Sequence, residues 1–383
     1  MVSTTNTPLK QCVVASQRLG SDPFLVLYGG GNSSAKADST VYVKASGHDM
    51  GTITAEGFAP LDRDAVVSML EQDRMSDGDL VAGLRKLLLD PKSSNPSIET
   101  PLHALVPYAS VLHTHADAIV TLTNTVESDR LIESVLGSRV AVVPYCMPGF
   151  ALAKYVQSMI ETVNIHDLEG IVLKHHGLFT FGPTAEVALD RHLRLVDRAS
   201  AWIARATGVQ YTEDPEELTV DNDSSQRLTA LRTNLDESFG GEFVLDAVTS
   251  PSIAAFVARP DLDEITQRGP TTLEHVIRTK RVPLVDGDIT RFAKRYRAYF
   301  DRHRPRYKDP LVMLEPYPCV ALDPDFGICG IGRTAQQARA ARTIYRHTAR
   351  IIEAAESLGG YRSISEADAF DIEYWELEQA KLR

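Results

Sequence analysis

The chain has 383 residues, 43% of them apolar, and carries 51 acidic against 40 basic side chains for a formal charge of −11. That length suits two ordinary domains, and the apolar fraction is ample for folded cores. The acidic balance argues against nucleic acid or an anionic membrane as the main partner, while leaving room for a local basic pocket. The first residues lack the apolar core of a signal peptide, no long apolar span follows, and the four scattered cysteines (Cys12, Cys146, Cys319, Cys329) form no Cys-x-x-Cys pair. A cytoplasmic protein with reduced thiols is expected.

Phe24 to Tyr28 is a short apolar run, expected as a strand, that feeds the cluster Gly29-Gly30-Gly31-Asn32-Ser33-Ser34. Three glycines allow positive φ and bring backbone N–H groups near a ligand, and the polar side chains add donors. The cluster fits either an ordinary turn or an anion such as phosphate; the Gly-Lys-Ser/Thr ending of a P-loop is absent. Val41 to Lys44 alternates like a second strand and ends at Ala45-Ser46-Gly47-His48. Helices are expected over residues 62–70 and 80–89, the second capped by Asp79. A Ser/Pro/Asn-rich loop then leads to Ser97-Ile98-Glu99 and a short helix, 101–105, whose His103 reads as structural.

Val111-Leu112-His113-Thr114-His115-Ala116-Asp117 follows. On a strand, two His two apart project from the same face. Asp117 either orients a ligand His or caps a helix, the cap being the slightly favoured use. Strands are expected over 140–145 and 170–173, the latter delivering Lys174-His175-His176-Gly177-Leu178, with Lys174 an exposed strand residue rather than a nucleophile. A long amphipathic helix over 185–206 comes next, with Val187, Leu189, His192, Leu195, Ala199 and Trp202 on or near one face. A single His in an apolar strand is more often a satisfied core residue than a ligand. Two His on one strand face with a third on another strand, however, form a ligand set for a divalent metal with an open position. The nearby Glu99 is a fourth ligand, a general base, or both in turn.

The acidic, Pro-containing stretch 212–225 is the best domain boundary. It divides a metal-binding catalytic domain, 1–211, from a C-terminal α/β domain, 226–383, that opens with a helix over 226–239. Arg278-Thr279-Lys280-Arg281 reads by default as a solvated face, with Arg278, Lys280 and Arg281 the candidates to lend charge to a phosphate. Residues 319–335 repeat the pattern of 170–185: apolar strand, Gly-containing turn, second strand, Gly-x-Thr-Ala, then a long helix, 336–355. Asp323-Pro324-Asp325 stands where Lys174-His175-His176 stood, and no His-x-His follows Asp117. The second domain is therefore expected to be a degenerate, metal-free copy of the first. Phe326 to Gly332 has the glycines of a nucleotide-binding turn without a full βαβ unit and a placed acidic residue, so no NAD site is expected.

The runs Gly-Gly-Gly-Asn-Ser-Ser, Pro-Ser-Ile-Glu, His-Thr-His-Ala-Asp and His-Gly-Leu-Phe-Thr-Phe-Gly together resemble the class II, metal-dependent aldolase/adducin family. The likeness is greatest to the aldolase part of bifunctional rhamnulose-1-phosphate aldolase/alcohol dehydrogenases, and the chain is expected to stop where their dehydrogenase begins. It continues through Ile277 to Leu284 and Glu373 to Lys381. The resemblance implies an α/β/α domain with a central, mainly antiparallel sheet, and a smaller α/β domain behind it. It implies His113, His115 and His176 (rather than His175) as ligands of Zn²⁺, with Mn²⁺, Co²⁺ or Fe²⁺ as alternatives, and Glu99 as the acid/base. Gly31, Asn32, Ser33, Ser46, Gly47 and Ser97 would cradle a phosphate, with Lys44 beside them.

The implied reaction is cleavage of a ketose 1-phosphate, such as rhamnulose 1-phosphate, to dihydroxyacetone phosphate and lactaldehyde in a homo-oligomer. A metal chelating two adjacent substrate oxygens would stabilise an enediolate, and Glu99 would move the proton. Family members acting on ketose 1-phosphates commonly place two hydroxyl residues before the catalytic Glu; here the pair is Ser97-Ile98, so one phosphate donor is missing. That departure keeps open related metal-enolate reactions: epimerisation, decarboxylation, or cleavage of an unphosphorylated substrate. The family also takes a proton-donating Tyr from a neighbouring subunit, for which Tyr145 and Tyr155 are alternative candidates. A non-haem iron oxygenase and an adducin-like interaction module are the remaining readings, and three convergent imidazoles with a carboxylate argue against the second.

Overall fold

Short β-branched runs alternating with amphipathic helices bury both faces of a sheet, and the first part of the chain folds accordingly. The computed structural model describes residues 7–221 and 225–380. Residues 1–6, 222–224 and 381–383, which take in the N-terminal stretch and parts of the acidic segment and terminal motif read above, lie outside the described residues. Two compact units result: the chain up to Thr123 with Glu127–Gly208, and Asn124–Val126 with the chain from Val209 on.

The first unit is built on seven strands: β1 (Asn32–Ala37), β2 (Thr40–Lys44), β3 (Phe58–Asp62), β4 (Ser110–Thr114), β5 (Val140–Val143), β6 (Gly170–Leu173) and β7 (Gly177–Gly182). Their order is β3-β2-β1-β4-β7-β6-β5, antiparallel throughout except for the parallel β5–β6 pair. The His-x-His strand β4 is thus central, flanked by β1 and β7. On one face Val111, Ile171, Leu173, Phe179 and Phe181 pack with Leu102 of the Thr100–Leu105 helix and with Phe150 and Val156 of the Phe150–Thr162 helix. On the other, the Pro8–Gly20 and Ala185–Thr207 helices cover β1, β4 and β7.

The long helix starts where the Thr184 hydroxyl accepts the Val187 N–H and stops at Gly208 in the left-handed region, φ +80°. Its buried stripe runs through Ala188, His192, Leu195, Ala199 and Ile203, so Val187, Leu189 and Trp202 flank the packed face rather than form it. His192 spans two strands. Its Nδ1–H donates to Thr180 Oγ1 (3.0 Å), whose own proton goes to Ala188 O (3.0 Å), and its Nε2 accepts from Thr114 Oγ1 (2.7 Å). Burial pushes the His192 pKa down to about 3. Between that value and the ordinary histidine pKa the unfolded chain binds the extra proton, so this stability is present above about pH 6.5 and is lost as pH falls. His192→Gln, keeping polar groups between the two threonines, is expected to flatten the slope of unfolding free energy against pH from 6.5 to 4 by up to about 1.4 kcal/mol per pH unit. Denaturant melts across that range measure it; an unchanged slope refutes it.

Two local expectations are corrected. Residues 24–28 form turns, not a strand. Pro23 lacks an N–H, and Asp22 gathers the next amides: its carboxylate accepts Phe24 N (2.9 Å) and its carbonyl accepts Leu25 N and Val26 N (3.0 and 3.1 Å). The freed carbonyls of Phe24 and Leu25 then receive Asp117 N and His115 N (2.9 and 3.2 Å), fixing where β4 ends. The helix over Asp77–Lys86 is capped by Ser76, whose hydroxyl accepts Asp79 N; Asp79 itself returns an oxygen to Ser76. Asp117 lies in the first turn of the Asp117–Thr123 helix.

The second unit has β8 (Leu218–Val220), β9 (Val244–Thr249), β10 (Val320–Asp323) and β11 (Gly327–Gly332), in the order β10-β11-β9-β8, all antiparallel. β8 lies within the stretch read as a linker. This sheet repeats β6-β7-β4-β1 of the first. Gly170 pairs with Thr180 as Val320 pairs with Gly330, and helices of 23 residues follow at Ala185–Thr207 and Ala335–Ser357, each capped by a threonine. β9 then takes the place of β4: Ala247 faces Cys329 where His113 faces Phe179. In this register Pro324-Asp325-Phe326, not Asp323-Pro324-Asp325, matches Lys174-His175-His176, so Ala247, Thr249 and Phe326 occupy the three His positions. The glycines of β11 make a buried strand rather than a turn; a Cβ on Gly330 would lie 1.9 Å from Ala338 O, so glycine is what lets the following helix pack this closely. No helix among the described residues is long and apolar enough to cross a membrane.

Candidate metal centre

His113 and His115 leave one face of β4 while Thr114 leaves the other, toward His192, as a period of two requires. His176 arrives from the β6–β7 turn, and the three ligand nitrogens lie within 4.8 Å of one another. His113 Nε2 is 2.9 Å from His115 Nε2 and 3.3 Å from His176 Nε2. Nitrogens bound at about 2.05 Å to a tetrahedral Zn²⁺ would stand about 3.3 Å apart, so the spacing fits such an ion. His113 Nδ1–H donates to Leu178 O (3.0 Å) and its ring stacks on Phe179 (3.9 Å between centroids), which aims the Nε2 lone pair inward. Burial, and then the neighbouring His115, hold the His113 pKa well below the ordinary histidine range, so the ring is neutral and able to ligate.

Glu99 closes the fourth side. Its Oε2 lies 3.7 Å from His113 Nε2 and its Oε1 3.8 Å from His176 Nε2. Oε2 accepts Asn32 Nδ2 (2.7 Å), whereas Oε1 is buried with no hydrogen-bond partner among the described residues. Three facing imidazole lone pairs and an orphaned carboxylate oxygen are what a cation would satisfy, so these residues fit a divalent metal.

The β1–β4 register explains the rest. Asn32 pairs with His113 and Ser34 with Val111, so Asn32 and Ser34 share the site face while Ser33 turns away. Ser33 does not reach the site: it is fully buried, its hydroxyl 2.6 Å from Ser16 Oγ of the N-terminal helix. Asn32 is committed to its neighbours. His103 Nε2–H donates to Asn32 Oδ1 (2.5 Å), Ser34 Oγ donates to His103 Nδ1 (2.8 Å), and the Asn32 amide is thereby turned with its N–H groups toward Glu99 and Ser97 Oγ (3.1 Å). Burial, then the Lys36 charge, push the His103 pKa down to about 3, so it holds Asn32 as a neutral ring. The role of His103 is more specific than filling space, and its place one turn after Glu99 was a sequence signal for it.

Ser97 Oγ also accepts Glu99 N (3.2 Å). The Ser46–Gly47 loop is stitched to this segment, since Ser46 N donates to Asn95 O (2.7 Å) and Ser97 N to Lys44 O (3.3 Å); Ser46 and Gly47 are exposed. Gly31, at φ +70°, passes beside His113 O. His175 has φ +58° and its N–H donates to Thr123 Oγ1 (3.2 Å), so it is not brought to the cluster nitrogens. Lys174 pairs with Asp129 (2.7 Å). Tyr145 is half-buried against the His175 ring, and Tyr155 is exposed on its helix. A Cβ on Gly177 would lie 2.2 Å from Thr114 O. Gly177→Ala is accordingly expected to destabilise the fold by about 2–4 kcal/mol, read by urea melts; wild-type stability would refute so tight an approach.

The model of the class II aldolase and adducin N-terminal domain matches residues 10–203, half of the chain. The chain belongs to the class II aldolase and adducin family. Residues 222–382 match the class II aldolase second domain. The chain is 28% identical over 409 residues to the uncharacterized oxidoreductase YuxG of Bacillus subtilis (strain 168), covering 98% of this chain and 58% of that protein. It is 25% identical over 209 residues to a methylthioribulose-1-phosphate dehydratase of Pseudoalteromonas translucida (strain TAC 125), covering 51% of this chain and 90% of the relative. Among solved structures, the N-terminal class II aldolase domain of a conserved Thermoplasma acidophilum protein is 40% identical, with a TM-score of 0.49 over 53% of this chain and 97% of that one. An L-fuculose-1-phosphate aldolase from Thermus thermophilus is 17% identical, with a TM-score of 0.35 over 51% and 95%. The chain spans 58% of the length of YuxG, and its family membership supports an enzyme of the class II aldolase superfamily.

Proposed function

We propose that the first unit is an aldolase acting on a ketose 1-phosphate of the rhamnulose 1-phosphate type, giving dihydroxyacetone phosphate and an aldehyde. The observation that carries this reading is Glu99, its Oε2 fixed by Asn32 and its Oε1 unpartnered beside the His176 Nε2. A divalent cation held by His113, His115 and His176, Zn²⁺ on the chemistry of three imidazoles, would supply Lewis acidity for the negative charge of an enediolate. Glu99 moves the proton. Held through Asn32 by His103, it presents Oε1 to the substrate carbon, protonating it after cleavage and abstracting the proton in the reverse direction. Ser97 Oγ, already accepting two N–H groups, has its own O–H left to donate to a phosphate oxygen, beside the exposed Ser46–Gly47 loop. Tyr145 and Tyr155 are the candidates to serve a neighbouring copy in a homo-oligomer.

A second reading, dehydration of a ketose 1-phosphate, is favoured by the dehydratase relative. Proton abstraction by Glu99 followed by loss of a β-hydroxyl needs the same carboxylate and cation. Incubating the Zn²⁺-loaded chain with a panel of ketose 1-phosphates separates the two. Dihydroxyacetone phosphate, lost on chelation and restored by metal, supports the aldolase; loss of water without chain cleavage supports the dehydratase. No product from any of them refutes both.

A further inference from the structure

The second unit holds a cavity of about 230 Å³ walled by the Ile289–His303 helix and the Lys280–Arg281 segment. Four cations line it, Lys280, Arg281, Arg295 and Arg302, against one carboxylate, Glu366. In a chain of formal charge −11 this is a local reversal of sign. Glu366 is fully engaged by Arg302, Arg281 and His303, so it leaves the cavity with a net positive charge.

Lys280 was read as part of a solvated face and is instead 6% exposed. Its ammonium lies 4.0 Å from the Tyr296 ring centroid and 3.6 Å from Oε1 of the fully buried Glu373. A buried ammonium needs such partners. Its backbone sits at φ +58° and ψ 174°, a region essentially reserved for glycine, so the fold holds this lysine in the wall at a cost in strain. Tyr299, a further residue of the cavity wall, is 7% exposed and bonds the buried Glu373 carboxylate, the same group that partners Lys280.

We propose that this cavity binds a small phosphorylated metabolite, its phosphate taken by Lys280, Arg281 and Arg295. Arg295 spends one N–H on Gln267 Oε1 (3.0 Å), and Arg281 spends N–H groups on Gln267 O (3.1 Å) and Glu366, so each guanidinium keeps donors to spare. A phosphate dianion with three terminal oxygens matches several cations around one cavity; a single carboxylate does not. A cavity of about 230 Å³ has room for a phosphate and a few carbons. Nothing in this site depends on the chemistry assigned to the first unit.

Calorimetric titration of the metal-loaded whole chain with glycerol 3-phosphate at fixed ionic strength tests it. A Ser97→Ala background weakens the other candidate phosphate contact and should leave this binding intact. Arg295→Glu, at an exposed position, is expected to weaken binding by roughly tenfold or more. Ala298→Trp, also exposed, should do the same by filling the mouth without changing charge. Wild-type affinity in both variants, or no binding to the unmodified chain, overturns the site. Citrate binding there more tightly than the phosphate ester overturns the choice of phosphate.

Discussion

His176→Ala is expected to lose its divalent metal and all turnover while keeping its fold. The ring is one of three imidazoles whose nitrogens lie within 4.8 Å, and the two that remain come from one strand, leaving the site open on the β7 side. Removing a direct ligand should cost more than the roughly 10–100-fold typical of the residues that merely support one. The turn carrying His176 keeps its own backbone bond from His176 N to Leu173 O (3.2 Å), so thermal unfolding of the metal-free proteins should be alike. Metal analysis after dialysis reads the result. Full occupancy in the variant would remove His176 from the centre, and Ala in place of His113 or His115 should behave in the same way.

Glu99→Gln should give the opposite pattern: metal kept, rate lost. Gln is nearly isosteric, its amide oxygen can still accept from Asn32 Nδ2, and the three imidazoles are untouched. What disappears is the proposed proton carrier, worth on the order of 10²–10⁴ in kcat. Steady-state rates beside metal content measured on the same preparation separate binding from acid/base chemistry. A wild-type rate in Glu99→Gln would end its catalytic role.

These expectations rest on features that sequence carried unevenly. The long helix, the β6 strand and the His-x-His face were legible because alternation and helical periodicity state directly which residues point together. The likeness of the two sheets was legible too, since strand, turn, strand and capped helix recur in one order. Ser33 was not: a polar residue beside Asn32 looks like a donor until β1 is paired with β4, and one residue of register sends it to the opposite face. Residues 24–28 look like a strand by composition, but Asp22 and Pro23 impose a turn that periodicity does not weigh. Lys280 was misjudged for a different reason. A charged run reads as solvated unless its partners are known, and Tyr296 and Glu373 lie far away along the chain. His103 shows the same limit at the site, because its hold on Asn32 exists only once β1 and the Thr100–Leu105 helix are side by side.

The most direct test of the metal centre is X-ray absorption at the metal edge of the Zn²⁺-loaded chain. Three imidazole nitrogens near about 2.05 Å with oxygen completing the shell are predicted. Sulfur in the coordination shell, or fewer than three imidazoles, would contradict it.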